Sequence, residues 1–247
     1  MRLRIATYNI HRAVGHDGRE DGKRIATVLR EMKADVIAMQ EVGYHLDSPH
    51  NLLAYLGDTI HADVIEGITM YNEKGHYGNA VLSRLPVADI TRHDISVSRR
   101  EPRGAIELAI TKNGITFQVI ATHLGLSPGE RRYQIKKLLA VVSASKADVN
   151  ILLGDLNEWF LWGRPLRWLQ SEFGKTPRPA TFPARWPVFA LDRIWVAPGR
   201  ALDRLYSHNS RMARAASDHL PLIADLHITF QHQQAWQTGR GNRALTP

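Results

Sequence analysis

The sequence predicts an α/β fold in which layered β-sheets carry helices on their outer sides. Short β-rich runs recur along the chain, amphipathic helices stand between them, and several strand candidates are apolar on both faces. Strands such as Val36-Ile37-Ala38-Met39 and Ile151-Leu152-Leu153 need cover above and below, and the order of elements does not repeat as a simple βαβ series.

In chain order the strand candidates are Arg4 to Ile10, Asp35 to Val42, Ala80 to Ser83, Ala105 to Ile110, Thr116 to Leu124, Asn150 to Leu153, Arg193 to Val196 and Leu222 to Ile228. Between them, Asp21 to Lys33 sets Ile25, Val28, Leu29 and Met32 at helical spacing, and Gly129 to Ser145 does the same with Ile135, Leu138, Leu139 and Val142. No linker rich in Pro, Gly or Ser divides the chain and no solenoid repeat is present, so one domain over residues 1–230 is expected. The stretch from about Gln231 to Pro247 lacks periodicity and is expected to be a mobile polar tail. A basic tail that touches substrate is its alternative.

Composition limits the function. With 44% hydrophobic and 23% charged residues the chain is an ordinary globular one, neither disordered nor fibrous. Lys and Arg outnumber Asp and Glu by 32 to 24, which favours a polyanionic partner, nucleic acid or an acidic membrane surface. The excess is scattered, and a solvated surface is the plainer reading. The absence of cysteine excludes disulfides and thiolate metal sites. Met1-Arg2-Leu3-Arg4 enters the first strand candidate without an apolar leader core, and no stretch approaches the ~18 apolar residues of a spanning helix. A cytoplasmic monomer without membrane insertion is the expectation.

Chemistry concentrates where strand candidates end. Asn9 follows Ile5-Ala6-Thr7-Tyr8, Glu41 follows Ile37-Ala38-Met39-Gln40, His123 follows Val119-Ile120-Ala121-Thr122, and Asp155 with Asn157 follows Ile151-Leu152-Leu153-Gly154. Each has a plain alternative: an Asx turn for Asn9, a surface charge for Glu41, a capped strand end for His123, a turn for Gly154 to Asn157. Asp192 and the Asp218-His219 pair follow later; their alternatives are a salt bridge from Asp192 to Arg193 and a satisfied core histidine. Strand ends hold ligands on a rigid scaffold, and the repetition of polar residues there points to a site.

The residue types suit metal-assisted phosphoester hydrolysis. Glu41, Asp218 and Asn9 offer carboxylate and amide oxygens to a hard cation, Mg2+ or Mn2+, without sulfur. Attack by water needs a base, stabilisation of the phosphoryl oxygens and help for the leaving oxygen. Asp155 is the expected base, Asn157 and the histidines the charge stabilisers, the metal the leaving-group aid, and Asp192 would orient His219 and favour its imidazolium.

Six motifs in order, Thr7-Tyr8-Asn9-Ile10, Gln40-Glu41-Val42, Gly78-Asn79-Ala80-Val81-Leu82-Ser83, Thr122-His123-Leu124, Gly154-Asp155-Leu156-Asn157 and Leu191-Asp192-Arg193-Ile194, followed by Ser217-Asp218-His219-Leu220-Pro221, run nearly the whole chain. With them the sequence resembles the endonuclease/exonuclease/phosphatase superfamily, near its deoxyribonuclease I and neutral sphingomyelinase groups and its small bacterial members. The resemblance implies a four-layer α/β/β/α sandwich of two packed mixed β-sheets flanked by helices, with the site at one edge of the sheets. It implies that Asn9 and Glu41 lie at the metal and that Asp155 activates water. Asn157 and His123 would face the phosphate, Asp192 would pair with His219, and Asp218 would join the metal and phosphate cluster.

Arg100-Glu101-Pro102-Arg103 resembles an Arg-Glu-Pro element whose arginine faces phosphate in the deoxyribonuclease branch, and either Arg100 or Arg103 can fill that place. Tyr77 and Asn79 stand where relatives often place a phosphate or sugar contact, although Gly75 and Gly78 could equally mark a plain hairpin. Val42-Gly43 after Glu41 departs from the abasic-endonuclease pattern and argues against DNA-repair specificity. Trp159, Phe160, Trp162 and Trp168 follow Asn157; Trp159 and Trp162 could stack on a base or sugar, dip into lipid, or simply pack the loop. The expected activity is a phosphodiesterase on nucleic acid. Phospholipid or a phosphorylated small molecule is the second substrate class, and a catalytically silent binding module is the third reading.

Overall fold

Alternation along the first strand sets the layering. Leu3 and Ile5 face one way, Ala6 and Tyr8 the other, and all four are buried, so the strand needs cover on both sides. The computed structural model describes residues 1–44, 51–72 and 75–228. The expected tail at 231–247 and the last two residues of the expected domain lie outside them.

Among the described residues the strands in chain order are β1 (Arg2–Asn9), β2 (Val36–Tyr44), β3 (Asp63–Asn72), β4 (Gly75–Ser83), β5 (Val87–Asp94), β6 (Gly104–Lys112), β7 (Ile115–His123), β8 (Val149–Asp155), β9 (Asp192–Ala197), β10 (Leu202–Ser207) and β11 (Leu222–His227). They form two sheets, ordered β10-β11-β1-β2-β4-β3 and β5-β6-β7-β8-β9. Each is mixed: β1 and β2 pair in parallel in the first, β7 and β8 in the second, and the other ladders are antiparallel.

Helices α1 (Gly22–Met32), α2 (Leu52–Ile60) and α5 (Arg211–Ala216) cover the outer face of the six-stranded sheet, while α3 (Pro128–Ala144) and α4 (Arg164–Phe173) cover the other. Ile25, Val28, Leu29 and Met32 of α1 meet Tyr8, Ile37 and Met39. Ile135, Leu138 and Val142 of α3 meet Ile120 and Leu152. Between the sheets, Ile5, Val36, Ala38 and Val81 face Leu108, Val119, Ile151 and Ile194. Removing each Val, Ile, Leu or Met side chain among these from water stabilises the fold by about 1.5–3 kcal/mol before entropy is counted. The four-layer α/β/β/α sandwich is the fold the sequence predicted.

The missed strands share a cause. β3, β5 and β10 are sheet edges, and β5 is exposed along most of its length, so a weak apolar signal is what an edge strand should show. α5 has six residues, too few for a periodic pattern. The helix read as Gly129 to Ser145 runs from Pro128 to Ala144 because Ser127 and Glu130 close a capping box around Pro128. Gly75 and Gly78 both lie in β4, which pairs antiparallel with β3 from Asn72↔Gly75 onward as the arm of a hairpin, and a Cβ on Gly78 would overlap the backbone of Gly67 on β3.

Gly154 shows how closely the site end of the second sheet is built. It pairs with Thr122 at φ +146°, and a Cβ there would overlap the Thr122 carbonyl. Gly154→Ala is therefore expected to destabilise the protein by at least about 2 kcal/mol, since strained backbone and overpacking each cost roughly 1–3. A melting temperature equal to the parent's would refute it.

Candidate active site

The strand period carries polar residues into the space between the sheets. Asn9 ends β1 in phase with Leu3 and Ile5; His123 ends β7 in phase with Val119 and Ala121; Asp155 ends β8 in phase with Ile151 and Leu153; Asp192 opens β9 in phase with Ile194 and Val196. Each apolar row of the inter-sheet core thus terminates in a polar side chain at the same edge. In the second sheet the register sets His123 opposite Asp155 and Asp155 opposite Asp192.

Asp155 is the centre of the buried network. Its Oδ2 accepts from Asn9 Nδ2 at 3.1 Å, and its Oδ1 accepts from the Asn157 backbone N–H at 2.9 Å. The same Oδ2 lies 3.6 Å from His123 Nε2 and 3.8 Å from His219 Nε2. Asn157, at φ +49°, turns back so that its Nδ2 donates to the Leu124 carbonyl at 2.9 Å and sits 3.0 Å from His123 Nε2.

The two imidazoles are held in opposite charge states. Burial pushes His123 down to about 3, with the Arg103 guanidinium adding to the shift, so His123 is neutral. Arg103 Nη1 donates to His123 Nδ1 at 3.0 Å, which leaves the ring proton on Nε2, where it meets the Asn157 amide nitrogen 3.0 Å away, so that amide cannot also donate to the ring. His219 is also buried, which alone would lower its pKa, but the charges of Asp192, Asp155 and Asp218 outweigh burial and push it up to about 10. Its Nδ1 donates to Asp192 Oδ2 at 2.8 Å, and the Thr181 hydroxyl donates to the same oxygen at 2.6 Å. Arg193 lies on the opposite face of β9, and none of its guanidinium nitrogens has a hydrogen-bond partner among the described residues, so the alternative pairing with Asp192 does not form.

Glu41 reaches this network through a bulge. The β2–β4 register shifts between Met39 and Val42, Glu41 adopts φ +56°, and Gln40 and Glu41 escape strict alternation. Gln40 stays in the core and accepts from the Thr7 hydroxyl at 3.1 Å, while Glu41 Oε1 accepts from Asn9 Nδ2 at 3.0 Å. One amide thus holds two carboxylates, Glu41 and Asp155. Asn9 Oδ1 meanwhile accepts from the His11 N–H at 3.0 Å, so the Asx turn and the site contact coexist. Asp218, half-exposed, lies 3.8 Å from His11 Nδ1, and Ser217 ties its segment to the Asn9 carbonyl at 2.8 Å.

These donors fit a hard divalent cation. Glu41, Asp155 and Asp218 supply oxygens, and Asn9 points its nitrogen at the carboxylates, so its part is to gather them. Asp155, Asp192 and His219 also place ligand atoms within 4.8 Å of one another. Of those three, Asp192 already holds His219 Nδ1 and the Thr181 hydroxyl through Oδ2, whereas among the described residues the Glu41 side chain has a single hydrogen bond, from Asn9 Nδ2.

Of the two candidate arginines, Arg103 is buried against His123 and 3.3 Å from Glu101, whereas Arg100 is exposed. Asn79 Nδ2 donates to the Gly104 carbonyl at 3.2 Å, bracing the turn that carries Arg103. Tyr77 lies under the Arg12 guanidinium, 4.9 Å from its ring centre, and burial followed by the charge of Glu41 raises its hydroxyl pKa. Trp159 packs edge-on against Phe182 and Phe189, and Phe182 lies 4.9 Å from the His219 ring. Trp162 stands 72% exposed. Sequence reasoning missed Thr181, whose segment has no periodic pattern, and His11, two residues beyond Asn9, where an Asx turn was the available signal.

Comparison with known proteins agrees with this geometry. The model of the Endonuclease/Exonuclease/phosphatase family matches residues 6–219. The uncharacterized protein YbhP of Escherichia coli K12 is 32% identical over 245 residues, covering 92% of this chain and 96% of its own. A Beutenbergia cavernae endonuclease/exonuclease/phosphatase structure is 24% identical with a TM-score of 0.74, covering 92% of this chain and 72% of that one. A mannosyl-6-phosphatase of Bacteroides thetaiotaomicron is 18% identical with a TM-score of 0.73, covering 92% and 100%. With two mixed sheets, a polar row at their shared edge and a family match over residues 6–219, the chain belongs to the endonuclease/exonuclease/phosphatase family of phosphoester hydrolases.

Proposed function

We propose that the chain is a metal-dependent phosphodiesterase acting on nucleic acid. The observation that carries this reading is the buried cluster in which Asp155 lies 3.6 Å from His123 Nε2 and 3.8 Å from His219 Nε2, with Asn9 joining it to Glu41. Asp155 accepts the proton of the attacking water as its oxygen bonds to phosphorus and the ester P–O bond breaks. The His219 imidazolium, the His123 Nε2–H and the Asn157 amide neutralise the charge that develops on the phosphoryl oxygens. A divalent cation, when bound by Glu41 with Asp155 or Asp218, supplies Lewis-acid stabilisation of the leaving oxygen. Asn9 holds Glu41 and Asp155 in place, and Arg103 fixes the tautomer of His123.

The formal charge of +8 supports a polyanionic substrate. A phospholipid or phosphorylated small molecule is the second reading, favoured by the exposed Phe160, Leu161 and Trp162 close to the site. Among the described residues no helix is long and apolar enough to cross a membrane. The intact polar row weighs against a silent binding module.

The test offers purified protein plasmid DNA, RNA, phospholipid vesicles and a chromogenic phosphodiester side by side. Chelator is expected to abolish hydrolysis and Mg2+ or Mn2+ to restore it; full activity in metal-free protein would overturn metal dependence. Glu41→Gln is expected to raise the metal concentration needed for half-activity while the melting temperature holds, because the half-exposed Glu41 adds little to the core. An unfolded variant would reassign Glu41 to structure.

A further inference from the structure

Next to the active site, the loop after Asn157 forms a wall of a second recess. Its cavity of about 220 Å³ lies where the N-termini of α3 and α4 approach one another, and Arg131, Arg132, Arg164 and Arg167 line it. The single carboxylate lining it, Glu158, is already committed. Arg131 holds Glu158 through Nε at 3.1 Å and Nη2 at 3.4 Å, and donates to the Leu126 carbonyl. Arg132, Arg164 and Arg167 are exposed and form no ion pair with a described carboxylate. Gly163 at the start of α4 supplies no capping side chain, but Pro165 has no N–H and Gly163 and Arg167 donate theirs to the Phe160 and Gly163 carbonyls, so the arginine side chains are the groups that offer charge to an anion here.

The rim is aromatic. Phe160 and Trp162 are 53% and 72% exposed, with ring centres 5.7 Å apart and planes tilted by 40°, an open wedge of π surface beside the cationic cavity. Cations in a recess with adjacent exposed rings match one nucleotide, its phosphate in the cavity and its base on the rings. A lipid surface would be met by a convex apolar patch rather than by a concave polar one.

The recess and the active site share a wall. Glu158 follows Asn157 directly, and Arg131 grips the Leu126 carbonyl two residues beyond Leu124, whose own carbonyl holds Asn157. A strand with its scissile phosphate at Asp155 can therefore continue over this wall.

We propose that the recess between the α3 and α4 N-termini is an accessory nucleotide site that holds a flanking phosphate on Arg132, Arg164 and Arg167 and stacks its base on Phe160 and Trp162. The choice of ligand rests on the nuclease reading.

The experiment measures anisotropy of a fluorescein-labelled single-stranded oligonucleotide bound to the full chain in chelator, where no turnover occurs, across a salt series. The double variant Arg164→Ala/Arg167→Ala is expected to weaken binding about 10-fold and to reduce the slope of log affinity against log salt by about 0.7, the increment for one single-strand phosphate. Trp162→Ala is expected to weaken binding at least about 5-fold, in the range of lost base stacking. Hydrolysis of a small chromogenic phosphodiester, which fills only the catalytic row, should be unchanged in both. Parental binding and slope in the variants would overturn the proposal. So would a wild type that binds phosphatidylglycerol vesicles through these residues and ignores the oligonucleotide. Oligonucleotide binding that the variants weaken, without nucleic-acid cleavage by the wild type, would defeat the nuclease reading and leave the site standing; cleavage indifferent to the variants would do the reverse.

Discussion

Asp155→Asn is expected to lower hydrolysis by about 10²–10⁴-fold, the range for loss of a general base, and by more if the cation site is disturbed. The substitution keeps the size of the side chain, and one carbonyl oxygen can still accept from the Asn157 N–H. It also sets an amide nitrogen against the amide of Asn9, which would then face a donor where it had an acceptor. That mismatch costs about 1–3 kcal/mol of stability, so turnover must be read on protein shown to be folded by its melting transition. A folded variant with near-parental turnover would move the base to another group.

His219→Ala is expected to cost a comparable factor, Asp192→Asn less, and the double variant scarcely more than His219→Ala alone. Asp192 is fully buried and acts through the imidazole it holds at 2.8 Å, so the two behave as one unit. The pH dependence has a definite sign. His219 is raised from 6.5 to about 10, so its favourable interaction is fully present below pH 6.5 and is lost as pH rises through about 10. If the imidazolium is the working form, activity falls on the basic side toward pH 10, and Asp192→Asn moves that limb to lower pH because burial is then opposed by fewer charges. Losses that multiply, or a basic limb that stays in place, would separate the two residues.

The site illustrates what one chain read alone can and cannot disclose. Asn9, His123 and Asp155 were legible because each closes an apolar strand, and period-two alternation then determines the face on which it emerges. Glu41 was legible as a strand-end residue, yet alternation sends it to the wrong face; the bulge that redirects it depends on pairing with β4, which is not a local property. Choosing between Arg100 and Arg103 required the position of His123, twenty residues beyond Arg103 in the chain. Thr181 was invisible because a segment without regular structure carries no periodic signal, and only its contact with Asp192 reveals its part. Trp159 and Trp162, three residues apart, part company in the same way: the first packs toward His219 through Phe182, the second stands in solvent beside the arginine-lined recess.

The sequence by itself determined the central strands, the two long amphipathic helices, the oxygen-and-imidazole chemistry and the polar residues that end the apolar rows. These follow from propensities and periods that act over a few residues. Only the tertiary structure decided the edge strands β3, β5 and β10, the register that sets His123, Asp155 and Asp192 side by side, and the opposite charge states of the two histidines. Each of those depends on groups far apart in the chain: an edge strand is defined by the neighbour it pairs with, and a buried imidazole takes its charge from whichever residues the packed sheets bring against it.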